Sequence, residues 1–242
     1  MVATKRIGMI TPSSNTMVEP LTSAMTAHLL DDLSVHYTRI SVTRIALDQG
    51  SLDQFERQAM LDAARLLADA KVDVICWNGT SGAWKGLDAD RAICDAITAE
   101  TGIPATTGTL AQVEAFKAEG VRRYALAVPY LEDVRDAIVR VYGEAGFACV
   151  NSAHLGISTN FAFAEMDLDT LRDLIRRADH PDAEAVVVIC TNLAAARLVQ
   201  KLEAEIGKPI HDSLVVSLWG PLRMLGWRTP ISGWGRLLAS FG

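Results

Sequence analysis

No apolar run in this chain approaches the roughly 18 residues that a membrane-crossing helix needs. The opening MVATKRIGMITP has no apolar segment long enough for an export leader. The expected location is the cytoplasm, with no membrane partner. Positive charge is short as well: 23 Lys and Arg against 29 Asp and Glu give a formal charge of −6. That argues against a nucleic-acid partner, while a local basic pocket for a small anion stays open. There are four cysteines, Cys76, Cys94, Cys149 and Cys190, with no C-x-x-C spacing and no histidine in zinc-site register. A cysteine-built metal centre is therefore not expected, and a disulfide framework is weak without an export signal. The motifs G-x-G-x-x-G, G-x-x-x-x-G-K-[ST] and G-x-S-x-G are all missing, which counts against a nicotinamide enzyme, an NTPase and a serine hydrolase.

What is present is an ordinary globular composition, 50% hydrophobic and 21% charged. The 242 residues suffice for one large domain or two small ones. Hydrophobic periodicity alternates between strand and helix along the whole chain. Strands are predicted at Lys5 to Thr11, Ser34 to Val42, Val72 to Trp77, Ile103 to Thr106, Arg123 to Val128, Phe147 to Ser152, Ala185 to Cys190 and Pro209 to His211. Helices are predicted at Glu19 to Leu30, Asp53 to Ala70, Ala89 to Thr101, Leu110 to Glu119, Leu131 to Ala145, Asp169 to Ala178, Leu193 to Ile206 and Ser213 to Leu225. Leu47 to Leu52 and Ser158 to Asp167 read as loops. Strict alternation predicts an α/β fold with parallel sheets.

The second half repeats the first. The turn at Pro12 matches that at Pro129, Gly79-Thr80-Ser81 matches Cys190-Thr191-Asn192, and Gly102-Ile103-Pro104 matches Gly207-Lys208-Pro209. The three pairs keep their order, as a duplication would. Residues 1–118 with a returning segment 213–242 are expected to form one α/β domain, and residues 119–212 the other. Two such domains facing one another bring their strand ends to a shared cleft, where ligands of open parallel sheets bind. Three of the five tryptophans (Trp219, Trp227, Trp234) fall near the end of the chain, which points to a packed tail or a homo-oligomer contact, with core packing an equal explanation.

The cleft would collect Asn15, Gly79, Thr80 and Ser81 from the first half. From the second come Tyr130, Cys190, Thr191 and Asn192, with Asn160 from the loop after the sixth strand. Hydroxyls and backbone N–H groups clustered at strand ends suit an acidic small molecule, although a plain Gly-rich turn accounts for the same letters at Asn78 to Gly82. Cys190 is the one cysteine that ends an apolar strand and enters a polar turn, where a thiol is reachable and tunable. A buried strand-end cysteine is the plainer explanation. Cys76 reads as core, Cys94 as helical and Cys149 as a strand residue. Of the five histidines, only His211 falls near the expected cleft.

The pieces TPSSNT at 11–16, NGTSG at 78–82, PY at 129–130, CTN at 190–192 and GWGRLL at 233–238 occur in an order that resembles the aspartate/glutamate racemase superfamily. The nearest branch is that of maleate cis-trans isomerases and arylmalonate decarboxylases. The resemblance implies two pseudo-symmetric Rossmann-like domains, an active site between them, no cofactor, no metal, and a small carboxylic or dicarboxylic acid as substrate. It implies two cysteines facing each other in the racemases and isomerases. The second falls on Cys190 and the first on Gly79, so here one thiol is missing, as in the decarboxylases. It further implies Thr80, Ser81 and Tyr130 as anion donors, with Asn15 and Asn160 matching amides that the isomerases use to hold a carboxylate. The expected activity is a cofactor-independent decarboxylation in which Cys190 protonates an enediolate. A maleate-type isomerase or racemase, and a non-catalytic carboxylate-binding protein, are the alternatives.

Overall fold

A computed structural model describes residues 4–241; residues 1–3 and 242, which the first expected domain includes, lie outside the described residues. Eight strands follow in chain order: β1 (Lys5–Pro12), β2 (Leu33–Ile40), β3 (Val74–Trp77), β4 (Ala105–Thr107), β5 (Arg123–Val128), β6 (Ala148–His154), β7 (Ala185–Val188) and β8 (Ile210–Asp212). They form two four-stranded sheets, β2-β1-β3-β4 and β6-β5-β7-β8, in which every pairing is parallel. The second sheet repeats the strand order of the first. No helix among the described residues is long and apolar enough to cross a membrane.

Side-chain alternation along β1 explains the layering. Ile7 and Met9 face a cluster with Val18, Leu21 and Met25 of helix Val18–Thr26 and Leu214, Leu218 and Leu222 of helix Ser213–Met224. Ile10, on the opposite face, joins Met60, Leu61 and Ala64 of helix Arg57–Asp69. β7 is buried throughout, which its run of Ala and Val anticipates for a central parallel strand.

The two halves exchange helices. Helix Gly108–Glu119 leaves the first sheet, yet its Phe116 packs against Tyr124 of β5, Phe147 and the His211 ring of β8. Helix Ser213–Met224 leaves the second sheet and packs on the first. These helices also cross each other, so closely that a Cβ on Gly220 would stand 2.6 Å from the Ala111 Cβ. The tail returns to the first sheet's cluster, with Leu237, Leu238 and Phe241 buried in it and Trp227 and Trp234 against it.

Several boundaries differ from expectation. The loop expected at Leu47 to Leu52 contains a helical turn, Gln49–Asp53, because the Asp48 side chain caps it by accepting from Ser51 N at 3.1 Å. The helix expected from Asp53 starts at Arg57 instead; Gln54 is held out of it, its Oε1 accepting from Thr43 N at 2.7 Å. The loop after β6 carries a short helix, Asn160–Ala164. The helix expected at Leu193 to Ile206 begins as a 3₁₀ segment, Ala194–Leu198, before Val199–Ile206.

The helix crossing yields a prediction. Gly to Ala within a helix normally stabilises by about 1 kcal/mol. At Gly220 the new methyl meets rigid neighbours, and overpacking of this kind costs about 1–3 kcal/mol. Gly220→Ala is expected to lower stability in urea denaturation, the reverse of the propensity effect.

Candidate active site

The C-terminal ends of β1, β3, β5 and β7 meet between the sheets. β1 delivers Asn15, β3 delivers Gly79, Thr80 and Ser81, β5 delivers Tyr130, and β7 delivers Cys190, Thr191 and Asn192. Asn160 opens the short helix after β6. All nine are buried. Cys190 is only 2% exposed, which corrects the expectation of a reachable thiol: in this conformation the residue is buried.

Hydrogen bonds sew the two halves together across the site. The Asn15 Nδ2 donates to Thr191 Oγ1 at 3.1 Å, and Thr191 Oγ1 donates to the Asn78 carbonyl at 2.8 Å. Asn192 Oδ1 accepts from Thr16 N at 2.9 Å, and its Nδ2 donates to the Asn160 carbonyl at 2.7 Å. Asn160 Nδ2 donates to Ser14 Oγ at 2.8 Å. Thr80 Oγ1 and Tyr130 Oη lie 3.0 Å apart. Asn15 Oδ1 is committed to Met17 N and Val18 N, both at 2.9 Å, just ahead of helix Val18–Thr26. An amide NH2 has two protons, so Asn15 and Asn160 each have a second proton beyond the one bonded here, whereas Asn192 serves chiefly as a tie between halves.

Burial sets the protonation states. It pushes the Cys190 thiol up to about 12, although the Tyr130 hydroxyl and the Asn192 N–H oppose the shift and the Asp212 carboxylate adds to it. The Asn192 N–H approaches Sγ at 3.4 Å. Tyr130 is likewise held well above the ordinary phenol range, first by burial and then by the neighbouring thiol. At neutral pH both groups are proton donors.

Gly79 faces Trp77. A Cβ built on Gly79 would stand 2.0 Å from Cζ2 of that indole. The Trp77 Nε1 donates to Ser81 Oγ at 3.3 Å. Ser81 is thus the candidate least joined to the others: it lines, with Trp77, Phe55, Met60 and Ile93, a side cleft of about 230 Å³. Aromatic rings flank the phenol, with Trp84 at 5.3 Å and Phe163 at 5.4 Å from the Tyr130 ring, both edge-on.

A family model described as arylmalonate decarboxylase matches residues 7–238. The chain belongs to the arylmalonate decarboxylase family. It is 30% identical to the arylmalonate decarboxylase of Bordetella bronchiseptica over 74% of this chain and 77% of that one. It is 26% identical to the maleate isomerase of Pseudomonas putida over 97% of each chain. The crystal structure of a maleate isomerase from Pseudomonas putida superposes with a TM-score of 0.91 at 24% identity, covering 99% of this chain and 100% of that one. That isomerase is also solved with maleate. The aspartate/glutamate racemase-like branch read from the short motifs therefore extends over nearly the whole chain, and the protein is an enzyme of that superfamily.

Within this family member, some residues play parts that the sequence reading missed and one plays less. Ser14, in the TPSSNT motif, accepts from Asn160 and donates to the Val42 carbonyl at 2.6 Å. Asp212 is fully buried beside the thiol's strand: its Oδ1 caps helix Ser213–Met224, and its Oδ2 has no hydrogen-bond partner among the described residues. Its strand-to-helix position was the available signal. His211, expected near the cleft, has both ring nitrogens engaged, Nδ1 with Gln112 and Nε2 with Glu119, each at 2.8 Å. Its partners tie helix Gly108–Glu119 to β8, which makes it a packing residue.

Burial raises the Asp212 carboxyl to about 7. Its folded pKa lies above its unfolded one, so the native state binds the extra proton between about pH 4 and pH 7. Stability is therefore expected to fall as pH rises through that window. Asp212→Asn keeps an oxygen for the helix cap and is expected to flatten the dependence, by on the order of 1 kcal/mol between pH 5 and pH 8. Thermal unfolding of both proteins across that range checks it.

Proposed function

We propose that this enzyme is a cofactor-independent lyase that removes CO2 from a malonate-like dicarboxylic acid. The observation that carries the reading is a single, protonated thiol, Cys190, with Gly79 in place of an opposing one. A racemase takes a proton from one face of carbon and returns one to the other, so it needs two acid/base groups. A decarboxylase makes its carbanion by losing CO2: the C–C bonding pair stays on the α-carbon and delocalises into the remaining carboxylate as an enediolate. It then needs anion donors and one acid.

Thr80, Tyr130, the Ser81 hydroxyl proton and nearby N–H groups are the donors in this scheme. One such donor typically contributes about 3–4 kcal/mol to a transition state. Cys190 gives its proton to the α-carbon, and water returns one to the thiolate. Thr191 and Asn192 place the thiol, and the spare amide protons of Asn15 and Asn160 hold the retained carboxylate. The rings of Trp84 and Phe163 give the phenol an apolar flank, the kind of surrounding that disfavours a carboxylate and favours its departure as neutral CO2.

A second reading is favoured by the amides alone. Asn15 and Asn160 suit a grip on two carboxylates, as a maleate-type isomerase needs. Solvent deuterium entering an unsaturated or chiral diacid without CO2 release would select it.

Incubation with a panel of mono- and disubstituted malonates is expected to release CO2 from at least one member; turnover of none would sink the lyase reading. Cys190→Ala is expected to lower that rate by a factor of about 10² or more, the usual loss for a general acid.

A further inference from the structure

We infer that Trp77 is the specificity-determining residue of this site: its indole fills the space that a second acid/base side chain at position 79 would occupy. The inference deepens the lyase reading above and rests on it for its chemical meaning.

Two causes can keep a side chain off a glycine. One is backbone conformation, and it does not operate here: Gly79 is absent from the positive-φ glycines, so its backbone admits an L residue. The other is space. A Cβ on Gly79 would stand 2.0, 2.2 and 2.7 Å from Cζ2, Cε2 and Nε1 of Trp77, all below the 3.0 Å that real Cβ contacts respect. Those atoms belong to one rigid ring system rather than to the end of a flexible chain. The ring is 1% exposed and sits on a strand paired on both sides. Its N–H is bonded to Ser81, and Phe55 meets it edge-on at 6.3 Å.

The side cleft beyond Phe55 and Met60 is the room available to a displaced indole. Moving there breaks the Trp77 to Ser81 bond. A second thiol at 79 and the observed setting of the Ser81 hydroxyl therefore exclude each other. Glycine at 79 alone leaves a thiol absent; glycine with Trp77 leaves no place for one.

The test is a stability cycle joined to an exchange assay. Gly79→Ala is expected to lower the melting temperature by about 5 °C or more. In the Trp77→Leu background the same change is expected to cost less than about a third as much. Trp77→Phe serves as the background if Trp77→Leu does not fold. Equal costs in both backgrounds would overturn the steric assignment. For the chemistry, Gly79→Cys alone and Gly79→Cys with Trp77→Leu are compared for α-proton exchange in D2O on a chiral α-substituted carboxylic acid, followed by NMR. The double variant is expected to exchange at least about tenfold faster; exchange as fast in the single variant, or in neither, overturns the inference. CO2 release by the unaltered enzyme is read separately, so failure of the lyase reading leaves the stability cycle interpretable.

Discussion

The hydroxyl of Thr191 stands where both halves of the molecule have to agree. It accepts from Asn15 of the first half and donates its one proton to the Asn78 carbonyl of the same half, from a strand end of the second. Inside a buried site these are strong constraints, because losing either partner strands a polar group away from water. The other cross-links fall into place around it. Asn192, the next residue, accepts from Thr16 N across the halves and donates to the carbonyl of Asn160, whose own amide reaches Ser14. Cys190, the residue before, is thereby fixed at the meeting point of β5 and β7, next to the phenol that Thr80 holds. A one-residue slip in β7 would exchange thiol and hydroxyl between faces, so the register of a four-residue strand sets the whole centre.

The chemistry proposed for this centre comes from what burial does to protons. A thiol exposed at a turn is a nucleophile in waiting; the same thiol enclosed among aromatic and amide groups keeps its proton. Cys190 belongs to the second kind, with the nearby Asp212 carboxylate reinforcing the effect. Two neighbouring hydroxyls, Thr80 and Tyr130, share one hydrogen bond, and the phenol also reaches the Cys190 thiol. The site is furnished to give protons rather than to take them.

Much of this was legible from the letters. The AVVVIC run announces a central strand, Gly102, Gly120 and Gly207 mark where helices stop, and the repeated turns anticipate two sheets of one design. Eight of the nine chosen residues follow the ends of β1, β3, β5 and β7, and Asn160 joins them from the short helix after β6. What escaped has physical reasons. Period-two alternation assigns Trp77 to a face but cannot say that its ring folds forward over Gly79. The solvent exclusion of Cys190 depends on groups distant in sequence, such as Tyr130 and Asp212, which no local window contains. Asp48 and Gln54 reshaped the segment before Arg57 through side-chain hydrogen bonds that compete with helix propensity. His211 near a cleft reads as chemistry until Gln112 and Glu119, distant in sequence, are seen to occupy both nitrogens.

The exchanged helices carry a consequence for how the chain comes into being. The first sheet is fully covered only once Ser213–Met224 has packed on it, and the second depends on Phe116 from the helix that precedes it. A nascent first half emerging from the ribosome therefore carries an uncovered apolar face until almost the last residues are made. The four strands that look like an autonomous unit are half of a handshake, and each sheet is fully covered only when both halves are present.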